Sequence, residues 1–399
     1  MSDPRSPRRV TIPPRATVDA ALRPTRAEID LDAIRHNVRV VRDLVETDVW
    51  AVVKADAYGH GATECAHAMV EAGARGLCVA LVEEGLELRD AGVTAPVLVM
   101  SGIYREALGE AIAADLTPVI HDPAHLDTLA ALTGPAEVHL KVDTGMSRLG
   151  ITERDLANVA TRLAAMKHVR VTGLMTHFAN ADLDDPSFTE VQLTRFAQAR
   201  KVVADAGLAP TVFHAANSAG AFRFPDARFS FVRPGITLYG VAPFPHAGPA
   251  LLPAFRLRTE ILAIREVGPG TPIGYAGAFV TGRTTVVATI PIGYADGFWR
   301  RLSSDAEVLV HGTRARVIGN VSMDMAMLDV STLARSREGI SVGDEVVLLG
   351  SQASASGGAD TIRAEEIAAR VGTIPYEVLC AVSRRVPRSY RGAHEESSS

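Results

Sequence analysis

The first residue that draws attention for its chemistry is Lys54, which directly follows the apolar residues 51–53. Desolvation at the end of a buried strand lowers the pKa of a lysine, and a Schiff-base amine needs that lowered pKa. A lysine that snorkels from a strand end to solvent is the structural alternative. Lys54 alone favours that alternative, so the interpretation depends on what other residues accompany it.

Four further apolar segments also end in polar residues. These residues are Lys141, Asp143 and Arg148; Thr176 and His177; His214, Asn217 and Ser218; and Arg233, followed by Gly235 and Ile236. One buried polar strand end is often structural. Five such clusters at the same end of one barrel are hard to explain by structure alone, because unpaired buried charges are costly. The combined pattern predicts a functional site.

The elements that position these residues alternate between strand and helix. Eight short β-branched apolar segments are found at 50–53, 77–82, 96–100, 117–121, 138–142, 169–177, 211–215 and 231–237. Their near-continuous apolar character is typical of strands buried on both faces. Amphipathic helical patterns lie between most of them, for example at 62–72 and 152–166. Eight such units predict an α/β fold, a TIM-like (β/α)8 barrel whose active site lies at the carboxyl ends of the strands, with a doubly wound sheet as the alternative.

After about residue 255 the pattern predicts a β-rich domain with glycine turns. Strand-like segments cover 258–267, 284–293, 306–312, 314–321, 326–331 and 344–350, residues 351–360 are interpreted as a loop, and a helix is predicted at 362–371. The predicted domains are a disordered tail at 1–25, the barrel at 26–254, the β-rich domain at 255–391 and a second tail at 392–399. The motifs of the β-rich domain contain Tyr294, Met323, Asp324 and Tyr376.

Composition excludes several classes of function. The 399 residues carry a net charge of −5 with a pI near 6.2. The chain therefore lacks the excess of positive charge that would attract nucleic acid or an anionic membrane surface. No apolar run is long enough to span a membrane. Three widely separated cysteines predict neither a disulfide framework nor a zinc site, and the reduced cytoplasm is the expected compartment.

Cofactor and metal motifs are also missing from the sequence. A dinucleotide-binding glycine motif starting at Gly59 fails because its third position is Glu64. No metal site is expected: the acidic residues at 182–185 lack EF-hand spacing, and His60, His67 and His139 are interpreted as surface or core residues.

Eight sequence blocks in order resemble the alanine racemase family. They read AVVKADAYGHGA, KVDTGMSRLGI, THFANAD, HAANSAG, VRPGITLYG, PIGYADG, VSMD and GTIPYEV, over roughly residues 26 to 390. The resemblance implies an N-terminal barrel, a C-terminal β domain, the cofactor pyridoxal 5′-phosphate (PLP), and a head-to-tail homodimer with a shared active site. It implies interconversion of L- and D-alanine, with D-alanine supplied for peptidoglycan.

The resemblance also implies roles for individual residues. Lys54 corresponds to the lysine that attaches PLP and acts as one base, and Tyr294 to the second base, contributed by the partner subunit near His177. The phosphate is held by Tyr58, Ser218, Tyr376 and the backbone of Gly235 and Ile236. Arg233 faces the pyridine nitrogen with His214 supporting it, and Arg148 and the Met323 backbone bind the substrate carboxylate. Lys141 matches a position that is carbamylated in many members, and Asn217 and Asp324 have supporting positions.

Other functions remain as alternatives. A broad-specificity or serine racemase shares the same pattern. A basic amino-acid decarboxylase, which has an acidic residue at the pyridine nitrogen and a catalytic cysteine in its second domain, is disfavoured by Arg233 and by the residues Ser322, Met323 and Asp324. A non-catalytic PLP-binding barrel would lack the β domain, and a PLP-free aldolase would not explain the phosphate set. The sequence leaves a catabolic role open beside the biosynthetic one.

Overall fold

The computed structural model describes residues 22–101, 103–244, 251–336, 339–354 and 357–393. These residues form two compact units. The barrel unit comprises Ile29–Phe255, Ile374–Cys380 and the described residues from Tyr390 onward; the β unit comprises the described residues up to Glu28, Arg256–Thr373 and Ala381–Ser389. Of the tails predicted at 1–25 and 392–399, residues 1–21 and 394–399 lie outside the described residues. Residues 22–25 and 392–393 are described.

The barrel unit is built on parallel strands. The first nine strands of the described chain are β1 (Arg26–Asp30), β2 (Asp48–Val52), β3 (Gly76–Val79), β4 (Val97–Val99), β5 (Leu116–Ile120), β6 (Ala136–Lys141), β7 (Val169–Met175), β8 (Val212–His214) and β9 (Phe231–Val232). Strands β2 to β9 form a parallel sheet in the order β8-β7-β6-β5-β4-β3-β2-β9, and its end strands β8 and β9 lie side by side. The result is a nearly closed barrel, which confirms the predicted fold. Each of the eight predicted segments contains a strand, but β9 covers only Phe231–Val232 of the segment 231–237, and Ile236–Tyr239 forms a 3-10 turn instead.

Helices connect these strands. In the described barrel unit they are α1 (Leu31–Val45), α2 (Lys54–Tyr58), α3 (Ala62–Glu71), α4 (Val82–Asp90), α5 (Arg105–Ala113), α6 (His125–Ala130), α7 (Glu153–Ala165), α8 (Ser187–Asp205) and α9 (Ser218–Arg223). Helix α1 begins where the Asp30 carboxylate accepts the Ala33 N–H over 3.0 Å. Its buried residues Ile34, Val38 and Val41 recur at the helical spacing and face the core.

The β unit contains mostly antiparallel strands. The described strands here are β10 (Phe255–Glu260), β11 (Ala263–Val267), β12 (Pro272–Ile273), β13 (Phe279–Val280), β14 (Thr285–Ile290), β15 (Glu307–Val310), β16 (Thr313–Ile318), β17 (Ala326–Asp329), β18 (Glu345–Ala353), β19 (Ala359–Ile362) and β20 (Arg388–Arg391). The main sheet has the order β11-β14-β17-β16-β15-β18-β10-β1-β20, and β19 pairs with β18. The helices of the β unit are α10 (Ser331–Ala334) and α11 (Ala364–Val371), while α12 (Pro375–Ala381) lies almost wholly in the segment Ile374–Cys380 of the barrel unit.

Two predictions in this region were wrong. The segment 258–267 is two strands, β10 and β11, because the chain leaves the first strand at Ile261 and pairs with β14 from Ala263. Residues 351–360 are not simply a loop, because β18 runs to Ala353 and β19 starts at Ala359, pairing Ala353 with Ala359. No helix in the described ranges is long and apolar enough to cross a membrane.

Candidate active site

The polar residues that follow the predicted strands gather at one end of the barrel. Lys54 lies two residues beyond β2, Lys141 ends β6, His177 lies two residues beyond β7, His214 ends β8, and Arg233 directly follows β9. Because the strands are parallel, their carboxyl ends share one face of the barrel, the face that carries the active sites of such folds. We refer to these five residues and their surroundings as the barrel mouth.

The backbone after Lys54 takes an uncommon conformation. Residues 55–58 have φ values of 52° to 56°, the left-handed region, although none of the four is glycine. Each such residue costs roughly 1–2 kcal/mol relative to the right-handed conformation. A run of four is retained only where the surroundings hold it in place. This turn fixes where Lys54 leaves the strand and places the Tyr58 side chain in the protein interior, where it is 6% exposed.

Glu84 is one residue that holds this turn. Its carboxylate accepts the N–H of Ala55 over 2.6 Å, the N–H of Ala80 over 2.7 Å and the N–H of Leu81 over 3.1 Å. Ala80 and Leu81 lie just beyond β3, in the strand–helix connection next to the turn. Glu84 therefore ties the Lys54 turn to the neighbouring strand. Sequence reasoning missed it; the only available signal was an acidic residue in the first turn of the helix after β3.

Basic side chains make the barrel mouth electropositive. Burial and the nearby Arg148 lower the pKa of Lys54, and the Glu84 carboxylate opposes this shift. Burial, Arg233 and Arg148 lower the pKa of Lys141 to about 8. Such a cluster of cations favours anionic groups such as a phosphate or a carboxylate. Lys54 and Lys141 are also two of only four lysines among the 41 basic residues of the chain.

Arg233 is held by several partners. Its Nη1 donates to His214 Nδ1 over 2.8 Å, and its Nη2 lies 2.9 Å from the Thr176 carbonyl, 3.0 Å from the Ala215 carbonyl and 3.2 Å from His177 Nδ1. Its buried Nε is the one guanidinium nitrogen without a hydrogen-bond partner within the described ranges. Burial lowers the pKa of Arg233 to about 10, so the group remains charged at neutral pH. Burial and this cation also lower the pKa of His177 and of His214 well below 6.5.

The residues expected to bind a phosphate lie near one another. Ser218 Oγ accepts the Gly235 N–H over 2.9 Å, and Ile236 begins a 3-10 turn that runs to Tyr239. A side chain on Gly235 would collide with the Tyr58 hydroxyl, so only glycine allows this approach. The rings of Tyr58 and Tyr376 have centroids 5.9 Å apart. Asn217 caps α9, its side chain accepting the Gly220 N–H over 2.9 Å.

Tyr294 and Met323 belong to the β unit. Tyr294 begins a 3-10 turn that is hydrogen-bonded to the 322–323 backbone: its N–H donates to the Ser322 carbonyl over 3.1 Å, and Ala295 donates to the Met323 carbonyl over 3.1 Å. The side chain of Tyr294 is 41% exposed and that of Met323 is 52% exposed. Asp324 is paired with Arg385 over 2.7 Å. The β unit thus brings Tyr294 and Met323 together on adjoining loops.

A buried ion pair supports the Tyr294 turn. Asp296, fully buried, accepts the Gly293 N–H over 3.1 Å and pairs with both terminal nitrogens of Arg23, at 2.8 and 3.0 Å. Sequence reasoning missed this pair, because Arg23 lies in the segment predicted to be a disordered tail. It also missed the contact of His139 with His214, whose ring nitrogens lie 2.9 Å apart. Nothing in the sequence distinguished His139 from an ordinary core histidine.

Comparison with known proteins gives a consistent family assignment. The family model described as "Alanine racemase, N-terminal domain" matches residues 29–243, and "Alanine racemase, C-terminal domain" matches residues 254–390. A protein named alanine racemase from Sorangium cellulosum is 47% identical over 382 residues, covering 93% of this chain and all of that relative. "Alanine racemase 2" from Caldanaerobacter subterraneus is 42% identical over 92% of this chain and 95% of that relative.

Solved structures agree with the sequence comparisons. The alanine racemase of Bacillus anthracis with bound L-Ala-P superposes with a TM-score of 0.86 at 35% identity, over 93% of this chain and 96% of that chain. The alanine racemase of E. faecalis gives a TM-score of 0.85 at 37% identity, over 92% of this chain and 98% of that chain. Both domain models and full-length similarity point to one conclusion: the chain belongs to the alanine racemase family.

Proposed function

We propose that the protein interconverts L-alanine and D-alanine with PLP bound in the barrel mouth. The buried, unpartnered Nε of Arg233 is the observation that carries the proposal. A buried donor without a partner costs free energy, so such a group in a folded protein indicates a ligand acceptor. The names of the relatives and the electropositive setting of Lys54 support the same function.

The residues of the barrel mouth fit PLP. Arg233 Nε supplies a donor for a ring nitrogen, and the close approach of Gly235 and Tyr58 forms a small polar cradle for a phosphate. Tyr58, Ser218, Tyr376 and the backbone of Gly235 and Ile236 would hold the phosphate. Lys54 would hold the cofactor covalently through its amine. When bound, PLP would supply an electrophilic carbon for the substrate amine and a ring that draws electron density from the substrate Cα.

Arg233 determines how strongly that ring withdraws electrons. A guanidinium donates a hydrogen bond but does not give up its proton near neutral pH. His214 and His177 hold it in place and stay neutral, so no carboxylate lies among them to stabilise a protonated ring nitrogen. This arrangement favours return of the proton to Cα over transamination, which requires protonation elsewhere.

Racemisation requires removal of a proton from one face of Cα and its return to the other. Two bases on opposite faces achieve this without turning the substrate. Lys54 is suited to one face because its lowered pKa increases the fraction of neutral amine. Tyr294 of the partner subunit is proposed for the other face. Arg148 and the Met323 backbone would bind the carboxylate of alanine.

Lys141 is proposed to carry a carbamate that orients Arg148. The lowered pKa of Lys141, about 8, supports this because only a neutral amine adds carbon dioxide. The carbamate would replace a cation beside Arg148 by an anion, which would hold its guanidinium for the substrate carboxylate. Mass spectrometry of the native protein in bicarbonate and in carbon dioxide-free buffer tests this assignment.

Three finer features of the function are also proposed. The protein acts as a homodimer, since Lys54 and Tyr294 then complete each other's sites. It supplies D-alanine for peptidoglycan, which requires this isomer. It works in the cytoplasm, as its three free cysteines suit a reducing compartment.

Deuterium incorporation tests the reaction directly. Purified protein is incubated with PLP and L-alanine in heavy water, and the products are followed by chiral chromatography and mass spectrometry. D-alanine carrying deuterium at Cα is expected, and Lys54→Ala should abolish it. Lys54→Arg is the matched control that keeps a cation but removes the titratable amine, and it should be equally inactive. No exchange and no D-alanine from the PLP-loaded protein would reject the proposal.

Mixing two inactive variants tests the shared site. Lys54→Ala and Tyr294→Phe chains are each expected to be inactive. After chain exchange, a heterodimer should regain up to one intact site, because one of its two Lys54–Tyr294 pairs is wild type. Absence of recovery, with heterodimers confirmed by native mass spectrometry, would place both bases in the same chain.

A further inference from the structure

A chain of hydrogen bonds crosses the barrel interior and ends at Arg233. His139 Nδ1 lies 2.9 Å from His214 Nε2, and His214 Nδ1 lies 2.8 Å from Arg233 Nη1. The three residues are 4%, 0% and 2% exposed, in that order. His214 therefore has an arginine on one ring nitrogen and a second histidine on the other.

Elementary chemistry sets the direction of every hydrogen bond in this chain. A guanidinium has donors only, so His214 Nδ1 must accept from Arg233. His214 is neutral because burial and Arg233 lower its pKa well below 6.5, and its single ring proton therefore lies on Nε2. That proton is donated to His139 Nδ1. The pKa of His139, lowered by burial to about 4, leaves this ring neutral with its proton on Nε2.

The fold makes room for the His139 ring. The pairing of β6 with β7 shifts between Val138 and His139, so that Val138 pairs with Val171 but His139 pairs with Gly173. A Cβ on Gly173 would lie 2.6 Å from three atoms of the imidazole. The register shift and the glycine together place His139 within reach of His214. This position is therefore built by two separate features of the strands.

The His214 ring is also fixed in orientation. It stacks on Phe231 with centroids 4.3 Å apart, and Phe231 stacks on Trp50 with centroids 4.5 Å apart. Both ring nitrogens of His214 are hydrogen-bonded, so a flipped ring would put carbon atoms against both partners. The remaining freedom of this residue is the choice of tautomer. Arg233 requires an acceptor at Nδ1, and His139 accepts the Nε2–H that this tautomer carries, so the two partners favour the same tautomer.

We propose that His139 is a positioning residue for the reaction: by accepting the Nε2–H of His214, it keeps His214 Nδ1 as the acceptor that holds Arg233. In the opposite tautomer an imidazole N–H would face a guanidinium N–H inside the protein. Both donors would then lack an acceptor, which is energetically costly for buried groups. With its Nη atoms held, Arg233 presents Nε as its unpartnered donor toward the cofactor. The link to the cofactor rests on the proposed function, but the tautomer does not.

Nitrogen NMR tests the tautomer without reference to activity. Protein with ¹⁵N-labelled histidine is studied free of PLP and loaded with PLP, and the signals of His139 and His214 are assigned through substitution. Both rings are expected to carry their proton on Nε2. His139→Phe keeps an aromatic ring but removes the acceptor, which leaves the Nε2–H of His214 as a buried donor without a partner, so the His214 signals should move away from the values of a single tautomer. His139→Gln offers an amide oxygen as acceptor and should restore them.

Steady-state kinetics connect the tautomer to the reaction. His139→Phe is expected to lower kcat for alanine about tenfold, the low end of the loss that follows removal of a residue that orients a metal ligand. KM should stay within about twofold, because the carboxylate-binding residues are unchanged. His139→Gln should recover most of kcat. His168→Phe removes another barrel histidine, one that contacts the Leu129 carbonyl over 2.9 Å, and should change neither kcat nor the His214 signals.

Each contrary outcome overturns the proposal. If His214 of the wild type carries its proton on Nδ1, the proposal is wrong whatever the variants show. If the His214 signals are unchanged in His139→Phe, the proposal is also wrong, even if kcat falls, because His139 would then act through packing alone. If His139→Phe does not fold, the wild-type tautomer and the His139→Gln variant decide: a Gln variant with the native tautomer but a tenfold lower kcat rejects the proposal. Failure of wild-type racemisation would instead reject the proposed function.

Discussion

The Glu84 carboxylate accepts the N–H of Ala55, the residue next to Lys54, over 2.6 Å. The same carboxylate accepts two N–H groups at the end of β3. It thereby spans two neighbouring strand ends and holds a left-handed turn that contains no glycine. The position of Lys54 in the barrel mouth thus depends on an acidic residue thirty positions further along the chain.

Glu84→Ala is expected to lower the free energy of unfolding by about 1–3 kcal/mol, because three N–H groups lose their acceptor. It should also slow covalent capture of PLP by Lys54, measured by borohydride reduction and peptide mass spectrometry. Glu84→Gln keeps one accepting oxygen, so its stability and its rate of PLP capture should lie between those of the wild type and Glu84→Ala. Glu83→Ala, an exposed neighbour in the same helical turn, is the control. Equal behaviour of the Glu83 and Glu84 variants would remove Glu84 from this role.

Asp296→Asn tests the ion pair beneath the Tyr294 turn. Removing the charge from a buried carboxylate leaves Arg23 without its ionic partner, which should cost about 3 kcal/mol in urea unfolding. Asp127→Asn is the matched control, since that carboxylate is 76% exposed and pairs with Arg162 near the surface. It should cost under about 1 kcal/mol. A similar loss of unfolding free energy in both variants would show that the buried ion pair of Asp296 stabilises the protein no more than an exposed pair does.

Gly173→Ala tests the space that the His139 ring occupies. The new Cβ would lie 2.6 Å from the imidazole, so we expect a loss of about 1–3 kcal/mol in the free energy of unfolding. Combining it with His139→Ser should recover part of that loss, a coupling measured by a double-mutant cycle. Gly109→Ala in α5 meets no atom nearer than 3.9 Å and should instead stabilise by about 0.5–1 kcal/mol. Strict additivity of the Gly173 and His139 substitutions would contradict the predicted collision.

The lowered pKa of Lys141 predicts that the stability of the protein depends on pH in carbon dioxide-free buffer. Its pKa is about 8 in the folded protein against 10.5 for an ordinary lysine, so between these values the unfolded chain binds more protons. Stability should therefore rise with pH from 8 to 10.5, by roughly 3 kcal/mol at most, and the cost of the buried charge is fully present below pH 8. Lys141→Met should remove this rise and be the more stable protein at pH 7. A parallel pH profile for both proteins would show that Lys141 is not perturbed.

The strands of the barrel were predictable because burial on both faces requires continuous apolar segments. Segments such as 97–99 can therefore be recognised as strands from the sequence. The polar residues that follow such segments lie at the carboxyl ends of the parallel strands. The left-handed turn at 55–58 was not predictable, because alanine and tyrosine have no preference for that conformation. The register shift at His139 and the ion pair of Arg23 with Asp296 depend on tertiary pairing over long sequence separations. Gln352 lies in a serine- and glycine-rich segment that composition assigns to a loop, yet its partner strand β19 keeps it in a sheet.

The scarcity of lysine has a chemical consequence beyond the fold. Apart from Lys54 and Lys141, the chain has only Lys167 and Lys201, both exposed. Arginine does not condense with simple aldehydes as a neutral amine does. Reactive carbonyl metabolites thus meet few side-chain amines on the surface, and two of the four lysine amines lie in the barrel mouth. The same distribution leaves only four lysine amines for amine-directed labels, and under the proposed function the two in the barrel mouth are the ones whose modification by carbonyl compounds would affect catalysis.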